Sequence, residues 1–403
     1  MKKIMVLYET AGGGHYAAAK AIEAALASLH PGHFDVVMFP VRAATGSQRV
    51  GHLFEVYNHL LKIKPSYSNM GMRVLNHLDV EKVIMPLLPK ARRNLEKTIR
   101  EARPDMIISV FSVVNHSAIQ VLKDLGWYGK VPYIIWCTDL TRNFLKNWAN
   151  PEADLIIALH DEARSQLVDY GVPERKIRVL SGLPVNQKFL GRRDAASRLA
   201  ARQALELDET TPTVLISMGG VAVGATYLFS RELARSGLPI QLIAVCGRNE
   251  RLRARMEKLA RSASIKIRVE GFTDRMHVMM DAADILIGKP GPGTIAEAIA
   301  KELPILIDAY REPMLQEQGN LDLVVRQGLG QRIDRDHPLV DTVRSYIENQ
   351  DLYHRTLANL RRAKNDKAIE ELIGIALEKL PGWPPRAIDD PGQESLSPRS
   401  SQG

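Results

Sequence analysis

Short apolar or β-branched runs alternate with amphipathic helical stretches from one end of this chain to the other, and few architectures accept that rhythm. It is the pattern of parallel sheets covered by helices. Strands are expected at 3–8, 35–39, 106–111, 133–137, 155–159 and 177–180, and again at 213–217, 240–246, 265–269, 285–287 and 305–307. The fold class that follows is α/β, with two doubly wound, Rossmann-like domains, and a length of 403 residues accommodates both. A Gly182-Leu183-Pro184 turn places the boundary around Leu183 to Arg193, giving domains at 1–187 and 188–350. A helical segment, 351–381, is expected to cross back over the first domain. Residues 382–403 carry too much Pro, Ser and Gly to bury a core and are expected to be disordered.

Composition excludes several classes. With 45% hydrophobic and 25% charged residues the chain is neither fibrous nor disordered as a whole. Two cysteines, Cys137 and Cys246, cannot build a disulfide framework, and both lie in apolar runs, so a reducing compartment is expected. The apolar run at the amino terminus is too short for a signal sequence, and no stretch approaches the roughly 18 to 20 apolar residues of a spanning helix. A cytoplasmic protein is expected. The net charge of +8 points to an anionic partner, and residues 42–103 hold 12 Lys and Arg against 5 Asp and Glu. Within them, 50–95 mixes Leu, Ile, Met, Tyr and Phe with cations, as a helix docking on an anionic membrane surface does, or as core helices with a solvated basic face do. No zinc or RNA-binding motif appears, and nucleic acid is not an expected partner.

Two glycine-rich segments carry the chemistry. Thr10-Ala-Gly-Gly13-Gly14-His15 lies between the first strand and a small-residue helix. Its glycines permit close backbone approach, and the helix start aims free N–H groups and a positive dipole end at whatever sits there. His15, with its pKa lowered at a helix N-terminus, suits a general base. The segment is neither a Walker loop nor a dinucleotide fingerprint, and a plain strand-to-helix turn is the competing reading. Lys289-Pro-Gly291-Pro-Gly293-Thr294 opens a helix after a second-domain strand, which suits a diphosphate, while Glu297, one turn on, suits ribose hydroxyls. A Gly-Pro turn with a first-turn acid is the alternative there.

Further loops at strand ends add donor-side candidates: Gly220 in Ser217-Met-Gly-Gly220, the cation Arg248 in Cys-Gly-Arg-Asn, and the ring of Phe272 in Gly-Phe-Thr-Asp. Gln316, Glu317 and Asn320 cluster amide and carboxylate groups as sugar hydroxyls require, or as an exposed helix start does. On the first domain, Asp139 ends a buried strand at the cleft, and His116, after Ser112-Val-Val-Asn, offers a second histidine on the acceptor side.

These motifs in this order resemble the monogalactosyldiacylglycerol synthase and processive diacylglycerol glycosyltransferase family, over about residues 4–350. They are more distantly similar to the N-acetylglucosaminyltransferase of lipid-linked peptidoglycan precursor synthesis. The most specific pieces are GGGHYAAAKAI, TDL with Trp148, CGRN, GFTDRM, KPGPGTIAEAIAKELPI and QEQGN. The resemblance implies a GT-B architecture and a UDP-sugar donor used without a bound metal or other cofactor. It also implies a lipid acceptor met at the membrane, here the inner face of the cell membrane. Gly291, Gly293 and Thr294 would then face the diphosphate and Glu297 the ribose. Phe272 and Arg248 would lie around the uracil, and Gln316, Glu317 and Asn320 around the hexose, with His15 or Asp139 as the base. Two departures stand out: the segment between Asp139 and Trp148 lacks the histidine common in relatives, and Leu315 replaces a glycine.

The expected activity is inverting transfer of glucose or galactose from a UDP-sugar to a lipid such as diacylglycerol. A UDP-N-acetylglucosamine-dependent transferase acting on a polyprenyl-linked or other glycan, a UDP-sugar 2-epimerase, and a non-catalytic nucleotide sensor are the alternatives.

Overall fold

The computed structural model describes residues 1–9, 13–41, 81, 89–191, 193–219 and 224–383. Most of the basic segment 42–103 (42–80 and 82–88), the start of the first glycine loop (10–12), Gly220 and the tail 384–403 lie outside them.

The first unit contains strands β1 (Lys2–Tyr8), β2 (Phe34–Pro40), β3 (Met106–Ser109), β4 (Tyr133–Trp136), β5 (Leu155–Ala158) and β6 (Ile177–Val179). Helices α1 (Gly14–Leu29), α2 (Pro89–Ala102), α3 (Asn115–Asp124) and α4 (Asp161–Asp169) lie between them. The second holds β7 (Thr213–Ser217), β8 (Gln241–Val245), β9 (Ile267–Glu270), β10 (Ile285–Gly288), β11 (Ile305–Asp308) and β12 (Gly330–Ile333). Its helices are α5 (Ala195–Ala204), α6 (Ala225–Ala234), α7 (Glu250–Ser262), α8 (Met276–Ala282), α9 (Pro292–Ala300), α10 (Leu315–Arg326) and α11 (Leu339–Glu348). Helices α12 (Gln350–Ala363) and α13 (Ala368–Leu377) follow.

Each sheet has six parallel strands, in the orders β2-β1-β3-β4-β5-β6 and β12-β11-β10-β7-β8-β9. Both orders reverse once, between β1 and β3 and between β7 and β10, and a crevice opens at the carboxyl ends of the strands at such a switch point. The two glycine-rich segments follow β1 and β10. Topology thus puts both at the crevices.

The strands form where expected because their residues are buried on both faces: Ile4 to Leu7, Ile107, Ile108, Ile134, Ile135, Leu215, Ile216, Ile243 and Leu286 have no exposed surface. The exception is β12, which the periodicity misses. It is an edge strand with only Gly330 and Ile333 buried, and a Cβ at Gly330 would lie 1.8 Å from the Ile305 carbonyl oxygen. Close approach, not hydrophobicity, selects its residue. The expected carboxyl-terminal helix is also two helices, broken where Asn365 Oδ1 accepts from the Lys367 N–H (2.9 Å) and Asn365 Nδ2 donates to Ser181 Oγ (2.7 Å).

The chain does cross back. Ile369, Leu372, Ile373 and Ala376 of α13 share one apolar cluster with Ile22, Ala25 and Leu26 of α1, and Trp383 lies 4.7 Å from Phe34 of β2, ring to ring. Among the described residues no helix is long and apolar enough to cross a membrane.

Candidate active site between the two sheets

Helix α1 begins without a side-chain cap: its N-cap, Gly13, takes a left-handed φ of +84° that a side chain would strain. A Cβ on Gly13 or Gly14 would meet no described residue within 4 Å, so among the described residues the helix start has free space beside it. The partly buried His15 stands there, its Nδ1 3.2 Å from Thr138 Oγ1 and its ring edge-on to Phe111 at 5.3 Å. Burial holds the imidazole below its ordinary value, against the opposing pull of a hydrogen bond with the Val110 backbone and the charge of Glu9.

Asp139 is reached through a second aromatic ring. Trp148 packs 6.3 Å from the His15 ring and donates its Nε1–H to Asp139 Oδ2 at 2.7 Å. Burial pushes the Asp139 carboxyl up to about 6; the Trp148 hydrogen bond works against this, Glu317 of the second domain adds to it and Lys289 opposes it. The two candidate bases are therefore neighbours around Trp148, and one of them faces the second domain's charges. His116 sits in another network, with its N–H donating to the buried Glu81 (2.9 Å) and its Nδ1 3.1 Å from Asn150 Nδ2.

In the second domain Gly291 is the N-cap of α9, Pro292 occupies the first turn, and Gly293 is exposed at the mouth beside the part-buried Thr294. Glu297 lies one turn in, its carboxyl group in no hydrogen bond or ion pair with another described residue. Burial raises its carboxyl to about 7, and among the described residues the opposing charge is Lys188, from the short turn Gln187–Phe189. Lys188 Nζ donates to the Asp274 carbonyl at 2.6 Å, so the linker itself reaches the Gly271 to Asp274 loop. Arg248 and the 58% exposed Phe272 stack at 4.0 Å and form a flat cationic face at the next strand end.

The hexose candidates divide. Glu317 is buried and ion-paired to Lys289. Gln316 Oε1 is buried without a partner among the described residues. Asn320 is 1% exposed and both ends of its amide are taken, Nδ2 donating to the Pro290 carbonyl and Oδ1 accepting from Thr141 Oγ1, each at 2.9 Å. Sequence reasoning missed Lys289, Lys188 and Thr141. The first was legible as a cation inside an otherwise apolar glycine loop; the other two act only through the approach of the domains. Among the described residues no three His, Cys, Asp or Glu converge as a metal site.

A family model described as monogalactosyldiacylglycerol (MGDG) synthase matches residues 15–185, and one described as glycosyltransferase family 28 C-terminal domain matches residues 225–373. The chain is a glycosyltransferase, similar to the MGDG synthases over its first half and to glycosyltransferase family 28 over its second. It is 27% identical over 395 residues to monogalactosyldiacylglycerol synthase of Spinacia oleracea, covering 94% of this chain and 73% of that one. It is 29% identical over 340 residues to monogalactosyldiacylglycerol synthase 1 of Arabidopsis thaliana, covering 82% of this chain and 62% of the relative. Among solved structures, Acinetobacter baumannii MurG superposes with a TM-score of 0.61 at 13% identity, over 94% of this chain and 100% of that one. Anabaena Alr3699/HepE in complex with UDP and glucose gives 0.58 at 16%, over 94% and 100%. Those two likenesses establish the GT-B fold, and the enzyme is a glycosyltransferase with it.

Proposed function

We propose that this enzyme moves a hexose from a UDP-sugar to the free hydroxyl of diacylglycerol at a membrane surface, with inversion at the anomeric carbon. The reading is carried by one juxtaposition: Asp139, with His15 beside Trp148, faces the Lys289–Glu317 pair at the mouth of α9. A base on one domain thus meets a cation and a helix start on the other. The names of the relatives favour galactose as the sugar and diacylglycerol as acceptor.

In this reading the acceptor hydroxyl gives its proton to His15 or Asp139 as its oxygen attacks the anomeric carbon. The bond to the UDP oxygen breaks on the opposite face, and the departing diphosphate is stabilised by the N–H groups of α9 and by Lys289. Glu297 takes the ribose hydroxyls, and Arg248 with Phe272 takes the uracil. The cation-rich α2, with Lys90, Arg92, Arg93, Lys97 and Arg100, supports attraction to an anionic surface and hence a peripheral location.

The test is UDP release from UDP-galactose, UDP-glucose and UDP-N-acetylglucosamine, each with and without anionic vesicles carrying diacylglycerol, in EDTA. Lipid-dependent release from a hexose donor supports the reading and its independence of metal. Release from UDP-N-acetylglucosamine alone, or epimerisation without acceptor, overturns it.

A further inference from the structure

Asn320 lies on α10 of the second domain, one residue after Gly319, and its side chain has no surface left for a ligand. One end of the amide holds Pro290, the residue before the α9 N-cap; the other accepts the hydroxyl of Thr141, two residues after Asp139 on the first domain. Thr141 is itself fully buried. The contact depends on Gly319: a Cβ there would lie 2.4 Å from Thr141 Oγ1 and 3.0 Å from Thr141 Cβ. The loop bearing Thr141 is stiff, because the Asn143 N–H donates to Gln166 Oε1 (2.6 Å), Gln166 Nε2 donates to the Phe144 carbonyl (3.1 Å), and Trp148 holds Asp139. Stiffness lets one buried hydrogen bond set a distance. A second crossing, Arg326 to Glu162 at 2.7 Å, is largely exposed and contributes little by comparison.

We propose that Thr141 and Asn320 are positioning residues: their hydrogen bond, admitted by Gly319, fixes the spacing between the loop of Asp139 and the loop that opens α9. Asn320 acts on the reaction through Pro290 and Thr141 and not by holding the sugar. This rests on the two-domain transfer reading above. Its chemical logic is that an attacking oxygen and an anomeric carbon carried by different domains react only when the domains hold them in near-attack geometry, and small misplacements cost rate steeply.

The experiment is a double-mutant cycle of Thr141→Val and Asn320→Ala, with Thr141→Ser as the conservative control. The readouts are transfer from the active hexose donor to diacylglycerol vesicles, UDP affinity by calorimetry, and amide exchange. Thr141→Val leaves a buried acceptor unpaired, and kcat is expected to fall about tenfold while UDP affinity stays within about twofold. Thr141→Ser should recover near wild-type turnover, and the double variant should be no worse than the poorer single one. Amide exchange at residues 139–145 and 290–300 should quicken together in Thr141→Val.

A raised KM for the hexose donor in Asn320→Ala, with Thr141→Val silent, would return Asn320 to the sugar and overturn the proposal. Fully additive losses would also overturn it. If the wild-type enzyme transfers no sugar to diacylglycerol, the functional reading fails. The exchange data still decide this one, since unchanged exchange in Thr141→Val means that the contact sets no spacing.

Discussion

Lys289 and Glu317 form an ion pair at the mouth of α9, where the ammonium packs so closely that a Cβ on Gly219 would sit 3.3 Å from its Cε and a Cβ on Gly291 would sit 3.4 Å from its Nζ. The two glycines make room for the lysine side chain. Glu317 is the counter-ion of that ammonium. Lys289→Met is therefore expected to weaken UDP binding by about tenfold or more, the scale of a hydrogen bond to a charged group, without changing uridine affinity. Glu317→Gln should do the reverse, strengthening UDP binding a few-fold by freeing the ammonium while slowing transfer. Calorimetry with uridine, UMP and UDP separates these outcomes. Equal losses for uridine and UDP in Lys289→Met would reduce the lysine to a structural part.

The Trp148 hydrogen bond gives Asp139 a pH signature. A base must be ionised, so with its carboxyl at about 6 transfer should rise with pH through that value and level off above it. Trp148 donates to the charged form. Removing that donor in Trp148→Phe favours the protonated carboxyl and should move the acid limb up by on the order of one pH unit. If the limb stays in place in Trp148→Phe and in Asp139→Asn, it belongs to another group.

His15 is the other candidate for the base. Burial lowers its imidazole, so it is neutral and able to accept a proton across the neutral range. His15→Ala should cost about 100-fold to 10,000-fold in transfer, the usual range for a general base, while leaving UDP affinity nearly intact. Thr138→Val removes the partner that orients the ring and should cost less. Full activity of His15→Ala would take it out of the mechanism and leave Asp139 as the base.

Much of this is legible in the sequence alone. Buried strands such as Thr213–Ser217 announce themselves because a strand covered on both faces must be apolar throughout, and glycine-rich helix starts announce themselves because few other residues allow the approach. What sequence could not give was partnership across the cleft. Asn320 reads as a sugar ligand from its neighbours Gln316 and Glu317, yet its amide is used by Thr141, 179 residues away, and by Pro290. A local motif records which groups are present, not which are already engaged. The edge strand Gly330–Ile333 escaped for a related reason: its glycine is chosen by the carbonyl of Ile305, a contact that no periodicity encodes.

Glu297 gives the last prediction, on stability and on binding together. Its carboxyl is raised to about 7 by burial, from about 4.3 in an unfolded chain, so the folded protein holds a proton that the unfolded one releases between those values. The sign follows: this group's contribution to stability falls as pH rises from about 4.3 to 7, and the full penalty remains above. Glu297→Gln removes the charge and should therefore be the more stable protein at pH 8, by up to about 4 kcal/mol at about 1.4 kcal/mol per pKa unit, with the advantage gone near pH 4. Thermal unfolding at the two pH values measures this. Ribose hydroxyls donating to the carboxylate would reverse the cost, since hydrogen bonds to the charged form lower its pKa. UDP-glucose, whose own phosphates do not titrate near neutrality, should then release a proton on binding at pH 6.5, read as a buffer-dependent heat that Glu297→Gln abolishes along with much of the affinity. Buffer-independent heat in the wild-type protein would remove Glu297 from the ribose.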